Sequence, residues 1–287
     1  MSRCTLYCGK NTYVINRLVT LNSSGSEADI AAYLAITESP SKQIIFAARG
    51  TFSDANWRTN FDFFTVPSNV AEGATVHRGF NNAWNEIAVD VRQAIDDTVK
   101  MKPDYKLVIT GHSLGGAIAT VAAANLTAEG GYEFDLYTYG QPRVGNDKFS
   151  DFLSENIPGR LYRVTHDADP VPRLPPAALP LFGLLGYRHT SPEIWLTGEA
   201  SADPENIAVE DVESCEGNLN FACNANPIKF FNATDHGLYF GKMTCFKDAS
   251  KDDTVNGVYF PEEVKQQIES EVEKRTIASD ELECDTA

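Results

Sequence analysis

The sequence contains no run of about 18 to 20 uninterrupted apolar residues, the length a helix needs to cross a bilayer. It also has no excess of basic residues, because its formal net charge is −16. Phosphate backbones and anionic lipid surfaces are bound through basic faces, so this charge disfavours nucleic acid as a partner and simple electrostatic docking on a membrane. The acidity by itself indicates only a well-hydrated surface.

Internal repeats, glycine/serine-rich linkers and CxxC pairs are absent as well. A chain of 287 residues that is 43% hydrophobic and 22% charged is typical of a globular protein, and it could form one large α/β domain or two small ones. Because no repeat or linker divides the chain, one domain is preferred. The N-terminus does not resemble a signal peptide, so we expect either an intracellular protein or a Met1 that is not the natural start. Six cysteines spread through loops are instead typical of an oxidising compartment, although their spacing does not give the connectivity.

Short apolar segments alternate with helical patterns from residue 43 onwards. Strands are predicted at 43–48, 106–110, 134–140 and 161–166, and helices at 84–101, 114–128 and near 146–154. This order predicts a mostly parallel sheet with helices on both faces. In such sheets, functional residues gather at the carboxyl ends of the strands.

Ser113 lies at one of these ends, between Gly111 and Gly115, where a strand joins an alanine-rich helix. Taken separately, the serine could be a helix N-cap and the glycines a tight turn. Together they match the GxSxG nucleophile elbow, in which a strained backbone exposes the serine hydroxyl and its neighbours must be small. The following helix directs N–H groups and the positive end of its dipole at this position.

A nucleophilic serine requires a histidine base and an orienting carboxylate, which follow it in the order acid, then histidine, in α/β-hydrolases. Three of the five histidines lie downstream of the elbow: His166, His189 and His236. His236 comes last, whereas His112 adjoins the serine and is expected to pack beneath the turn. Asp167 and Asp169 both follow the strand at 161–166, and spacing alone leaves either one possible as the acid.

Seven segments in order, between about residue 44 and residue 245, resemble the motifs of the fungal class 3 triacylglycerol lipases. They read IIFAARGTFSDANW, VHRGFNNAW, VITGHSLGGA, YTYGQPRVGN, VTHDADPVPRLPP, YRHTSPEIW and DHGLYFG. The resemblance implies an α/β-hydrolase fold, a lid over the active site and secretion. It also implies the triad Ser113, Asp169 and His236, and a structural histidine at His189.

The oxyanion hole is expected to use the backbone N–H of Leu114, which follows the nucleophile. The resemblance places the second donor at Thr51, which could alternatively cap a short helix. Residues 51–64 occupy the family's lid position, and their aromatic side chains include Phe52, Trp57, Phe61 and Phe63. These favour a lipase that acts at a lipid–water interface, unless they are permanently buried. The apolar insertion at 177–185 would line an acyl pocket or pack as an ordinary loop.

The predicted activity is carboxylic ester hydrolysis, foremost as a triacylglycerol lipase that needs neither metal nor organic cofactor. The alternatives are a soluble-ester hydrolase of feruloyl or short-chain type, a phospholipase A1-like enzyme and an inactive binding scaffold. We expect a monomer whose partners are a lipid or ester substrate and, transiently, a lipid surface.

The resemblance further implies disulfides between Cys8 and Cys245 and between Cys215 and Cys223, which leaves Cys4 and Cys284 without partners. It assigns residues 1–245 to the hydrolase domain, apparently without the family's N-terminal helix. Residues 246–287 are then an acidic, partly helical extension.

Overall fold

The computed structural model describes residues 15–22, 30–38, 41–49, 63–179, 183–184, 186–197, 209–225, 232–240, 254–255 and 258–259. Within these ranges, no helix combines the length and apolar character needed to span a bilayer. The expected helix in the C-terminal extension and the expected pairing of Cys8 with Cys245 lie outside the described residues, as do Cys4 and Cys284.

An eight-stranded sheet forms the centre of the described part of the chain. Its strands are β1 (Ile15–Asn22), β2 (Ala31–Thr37), β3 (Gln43–Ala48), β4 (Lys106–His112), β5 (Phe134–Tyr139), β6 (Leu161–His166), β7 (Glu193–Leu196) and β8 (Val212–Cys215). They lie side by side in chain order. Strands β3 to β7 pair in parallel, whereas β1 with β2, β2 with β3 and β7 with β8 pair antiparallel. The predicted α/β fold with a mostly parallel sheet is confirmed.

Three α-helices occur among the described residues: α1 (Arg78–Met101), α2 (Leu114–Glu129) and α3 (Asp147–Asn156). Helix α1 begins six residues before the predicted start at 84, because the His77 ring caps it by accepting the Phe80 N–H at 3.3 Å. Helix α2 is rich in alanine and almost wholly buried, and it packs on the sheet and against both other helices. On β4, side chains that point to either face are buried, as in a sheet covered on both faces.

Shorter elements complete the described ranges. They are the antiparallel pairs Thr65–Pro67 with Thr75–His77, Ala178–Leu179 with Gly183–Leu184 and Thr254–Val255 with Val258–Tyr259, and the 3₁₀ helices Val171–Arg173, Val209–Asp211 and Ala233–Gly237. The disulfide between Cys215 and Cys223 is present, which confirms the expected pair. It closes a loop at the edge of the sheet, directly after β8.

Candidate active site

Ser113 stands at the sharp turn between β4 and α2. Its φ of 56° and ψ of −128° lie in a region that L-residues seldom adopt, and its side chain makes no capping hydrogen bond. The alternative interpretation of Ser113 as a side-chain N-cap is therefore wrong. The flanking glycines allow the turn: a Cβ at Gly111 would lie 2.2 Å from the Gly115 carbonyl oxygen, and one at Gly115 would lie 2.2 Å from the Ala48 carbonyl oxygen.

A continuous chain of hydrogen bonds starts at this serine. His236 Nε2 lies 2.8 Å from Ser113 Oγ, and His236 Nδ1 lies 2.9 Å from Asp169 Oδ2. Because a carboxylate only accepts, Nδ1 carries the proton and Nε2 is free to accept one from the serine hydroxyl. The exposed fractions are 5% for Ser113, 3% for His236 and 0% for Asp169, so the whole chain of groups is shielded from water.

Asp169 sits in the loop after β6, and three donors reach its carboxylate. Besides the imidazole, the Val171 N–H donates to Oδ1 at 2.9 Å, and the Tyr239 hydroxyl donates to Oδ2. Burial raises the pKa of Tyr239 well above its usual value of 10, so this phenol keeps its proton and can donate. Three hydrogen bonds to one buried carboxylate stabilise its charged form.

The neighbouring Asp167 has a different role. Its backbone N–H donates to the Leu196 carbonyl at 2.8 Å, and its own carbonyl accepts from the Trp195 indole at 3.1 Å. These contacts attach the loop to β7. Of the two aspartates that spacing left possible, Asp169 is the one in contact with the imidazole.

His236 lies in the 3₁₀ helix Ala233–Gly237, and His112 holds it from below. The His112 Nε2–H donates to the His236 carbonyl at 2.7 Å, and the centres of the two rings are 4.6 Å apart. Burial, and after it the nearby His236, lowers the pKa of His112 to about 3. His112 is therefore a neutral hydrogen-bond donor at ordinary pH, packed under the turn as expected.

The other downstream histidines are structural. His189 is buried and donates through Nε2 to the Pro172 carbonyl at 2.6 Å, just beyond the acid loop. Burial lowers its pKa well below the usual 6.5, so its ring is neutral. His166 Nδ1 lies 3.1 Å from the Asp235 carbonyl oxygen. His189 thus lies near the site, as the resemblance implied, but does not join the hydrogen-bond chain.

The expected oxyanion-hole and lid residues fall mostly outside the described ranges. Leu114 is the first residue of α2, where a backbone N–H has no acceptor within the helix. Thr51, Phe52, Trp57 and Phe61 are not among the described residues. Phe63 is half-buried, and its carbonyl accepts the Tyr187 hydroxyl at 3.1 Å.

Three residues at the site were not identified from the sequence. Tyr239 and Gly140 lie inside the quoted motifs DHGLYFG and YTYGQPRVGN, so their positions carried a signal that was not interpreted. Gly140 leaves room for the acid–histidine pair, since a Cβ there would lie 2.9 Å from Asp169 Oδ2. Asn224, which bonds the backbone of the acid loop, follows Cys223 in a segment without a recognisable motif.

Comparison with known proteins identifies the family of this chain. The family model described as Lipase (class 3) matches residues 45–179. The chain is 44% identical over 222 residues to secreted mono- and diacylglycerol lipase 1 of Fusarium solani, a match that covers 77% of this chain and 63% of the relative. It is 33% identical to secreted mono- and diacylglycerol lipase A of Penicillium cyclopium, over 70% of this chain and 62% of the relative. The chain thus spans just over three fifths of the length of these curated relatives.

Solved structures of fungal lipases have the same fold. The mono- and diacylglycerol lipase of Aspergillus oryzae superimposes with a TM-score of 0.69 at 30% identity, over 81% of this chain and 82% of that one. A fungal lipase in complex with an inhibitor gives a TM-score of 0.67 at 31% identity, over 78% of this chain and 80% of that one. The motif order, the sheet and the relatives all agree, and the chain belongs to the class 3 lipase family of α/β-hydrolases.

Proposed function

We propose that this chain is a lipase that hydrolyses the carboxylic esters of acylglycerols by transferring the acyl group to Ser113. One observation carries the proposal: Ser113 Oγ, His236 and Asp169 form a hydrogen-bonded chain with distances of 2.8 and 2.9 Å. A serine hydroxyl on a strained elbow, a histidine with its acceptor nitrogen turned to it and a buried carboxylate are the groups that serine acyl transfer needs.

In the proposed mechanism, His236 Nε2 removes the proton from Ser113 Oγ as the oxygen attacks the ester carbonyl carbon. The tetrahedral adduct then collapses, the C–O bond to the glycerol oxygen breaks, and the imidazolium returns its proton to the departing alcohol. Water repeats the sequence on the acyl-enzyme and releases the carboxylic acid. Asp169 holds the productive imidazole tautomer throughout and stabilises the imidazolium.

The oxyanion of each tetrahedral adduct is proposed to bind the backbone N–H of Leu114 together with the N–H and hydroxyl of Thr51. The amino end of α2 adds a favourable dipole at this point. Losing one donor of such a hole typically costs about 3 kcal/mol of transition-state stabilisation.

Access to the site supports a lid. Ser113 is only 5% exposed, so little of its surface is open to a lipid substrate. Residues 51–64, with Phe52, Trp57, Phe61 and Phe63, are proposed to move when they meet a lipid–water interface. With a net charge of −16, the lipid contact is expected to be transient and apolar rather than electrostatic.

We expect a monomer that works outside the cell, since relatives are named as secreted and a disulfide is present.

The preferred glyceride has two candidates. The lid aromatics favour triacylglycerol in emulsified droplets. The names of the relatives at 44% and 33% identity, mono- and diacylglycerol lipases, instead favour partial glycerides as a second candidate. Comparing tributyrin with dibutyrin and monobutyrin at matched interfacial area separates the two.

The decisive experiment measures tributyrin hydrolysis below and above its solubility limit for the wild type and Ser113→Ala. Ser150→Ala is a matched control, because Ser150 is a buried serine on α3 that bonds the Arg188 carbonyl. We expect a rate that jumps when droplets form, is kept in the control and vanishes in Ser113→Ala. A smooth saturation curve that Ser113→Ala abolishes would indicate a soluble-ester hydrolase. Folded protein with no activity would indicate an inactive scaffold, and an active Ser113→Ala would exclude the proposed nucleophile.

A further inference from the structure

The loop that carries Asp169 is held by the side chain of Asn224. The Asn224 Nδ2 atom lies 3.2 Å from the Asp167 carbonyl oxygen and 3.1 Å from the Asp169 carbonyl oxygen. An amide nitrogen has two hydrogens, so it can donate to both carbonyls at once. The His166 carbonyl is further away, at 3.5 Å. One side chain thus joins the main chain on both sides of Ala168.

Asn224 is itself held firmly. It is 2% exposed, and its backbone N–H donates to Glu193 Oε1 at 3.3 Å. Glu193 is paired at 3.0 Å with Arg163 of β6, and both side chains are 3% exposed. Asn224 also directly follows Cys223, which is bonded covalently to Cys215 at the end of β8. The backbone of Asn224 is therefore restrained by β7 through Glu193 and by β8 through the disulfide.

The same disulfide supports a second donor to the loop. Cys215 and Cys223 pack against Trp195, whose indole N–H donates to the Asp167 carbonyl at 3.1 Å. The disulfide therefore packs against one of the two side chains that bond this carbonyl, and it directly precedes the other in the chain. Asp167 has a φ of +22°, a backbone angle that the loop must hold against its local preference.

We propose that Asn224 is a positioning residue for the reaction: its amide keeps the backbone around Asp169 in the conformation that aims the carboxylate at His236 Nδ1, 2.9 Å away. The disulfide between Cys215 and Cys223 keeps the amide in place. This inference rests on the proposed function, because it assigns Asn224 a role through the acid of the proposed triad. Asn224 does not itself touch the reacting atoms.

Two substitutions distinguish the effect of losing the hydrogen-bond donors of Asn224 from the effect of changing the shape of its side chain. Asn224→Ala removes the amide, and Asn224→Asp keeps the shape but replaces the donating NH₂ with an acceptor. Both leave the buried Asp169 carbonyl without its donor and leave the Asp167 carbonyl with the Trp195 indole alone, so the loop relaxes and the carboxylate shifts. Displacements of about 1 Å in a catalytic group cost on the order of 100-fold. We expect kcat to fall roughly 10- to 100-fold in both variants, with KM nearly unchanged.

The measurement is kcat per active site on a soluble p-nitrophenyl ester, with sites counted by burst titration using a p-nitrophenyl phosphonate. The titration counts only molecules with a reactive active site, so unfolded molecules do not enter the calculation of kcat. A loss of stability alone therefore does not lower the measured kcat. Asn146→Ala is the matched control. Asn146 accepts from the Thr75 and Phe149 N–H groups and donates to the Gly73 carbonyl, and none of these contacts involves the triad. We expect this control to melt earlier and to keep its kcat per site.

A double-mutant cycle with Asp169→Asn tests whether Asn224 acts through the acid. If it does, adding Asn224→Ala to Asp169→Asn changes kcat by less than about twofold, because the carboxylate is already gone. The same fold-loss in both backgrounds would overturn the inference, and so would a wild-type kcat per site in Asn224→Ala. If Asn224→Ala does not fold, the same criteria apply to Asn224→Asp and Asn224→Ser. Wild-type protein that neither hydrolyses the ester nor reacts with the phosphonate would contradict the proposed function instead.

Discussion

Gly140 offers a sharp test of how tightly the acid–histidine pair is packed. It follows β5 directly, donates its N–H to the Val164 carbonyl at 3.0 Å and has a φ of +57°. A Cβ at this position would lie 2.9 Å from Asp169 Oδ2, 3.0 Å from the Tyr239 hydroxyl oxygen and 3.1 Å from His236 Nδ1. Only hydrogen fits beside these three atoms, so Gly140→Ala must displace them.

The magnitude follows from two separate effects. The left-handed φ costs an L-residue about 1 to 2 kcal/mol, which lowers Tm by roughly 2–4 °C per kcal/mol in a chain of this size. The close contacts force the carboxylate and the imidazole to move by several tenths of an ångström, since an ordinary carbon–oxygen contact is about 3.5 Å. A shift of this size is expected to reduce kcat roughly 10- to 100-fold.

Gly130→Ala separates the two effects. Gly130 caps the end of α2 with a φ of +73°, and no atom lies within 4 Å of a Cβ built there. It therefore carries a backbone penalty from its positive φ without the contacts. The assay is kcat per titrated site on a soluble p-nitrophenyl ester, together with Tm. Both variants should melt earlier, and only Gly140→Ala should lose kcat. A Gly140→Ala enzyme with wild-type kcat per site would refute the close packing described for the site.

Three further predictions concern the residues around the nucleophile. Ser113→Gly and Ser113→Ala should both lose roughly 10⁶-fold in kcat, but the glycine variant should be about 1 kcal/mol more stable because it relieves a φ of 56°. His112 has a folded pKa of about 3, so the wild type should lose stability as pH falls from about 6.5 to 3, by up to ~1.4 kcal/mol per pH unit. His112→Gln keeps a donor and should show a shallower loss. Tyr239→Phe removes a hydrogen-bond donor from the Asp169 carboxylate, so the acid loses one of its restraints and kcat per titrated site should fall roughly tenfold.

The checks are chemical denaturation at several pH values for the stability predictions and kcat per titrated site for the activity predictions. The wild type is expected to lose stability as pH falls because, below about pH 6.5, the unfolded chain takes up a proton at His112 that the folded chain excludes. Equal pH slopes for wild type and His112→Gln would contradict its burial as a neutral ring. An unchanged kcat per titrated site in Tyr239→Phe would mean that the phenol only fills space. Equal stability of the two Ser113 variants would argue against strain at the elbow.

Local patterns predicted much of the scaffold. The strands at 43–48 and 161–166 have the observed bounds, and α2 ends one residue beyond its predicted end. Apolar runs and helical periodicity carry this information because neighbouring residues along the chain decide it. The start of α1 was wrong by six residues. There the helix begins at a histidine cap, which is not among the usual capping residues.

The candidate site required information of two kinds. The GxSxG segment and the order of the motifs identified Ser113 and His236 without coordinates. Spacing alone did not separate Asp167 from Asp169, because both follow the same strand and differ only in where the loop turns them. That choice rested on the family resemblance, and the structure places Asp169, not Asp167, 2.9 Å from the imidazole.

The sequence by itself determined the order of the strands β3 to β6 and the helices between them, the position of the elbow and the family, whereas β1, β2, β7 and β8 were not predicted. These depend on short segments whose backbone preferences act within a few residues. The tertiary structure alone decided which distant groups meet: Ser113 bonds a histidine 123 positions away, Tyr239 bonds an acid 70 positions away, and Asn224 bonds a loop 55 positions away. Parallel strands bring such groups together because their carboxyl ends lie at one edge of the sheet. Short sequence patterns do not predict these contacts, because they depend on how segments far apart in the chain are arranged in the folded protein.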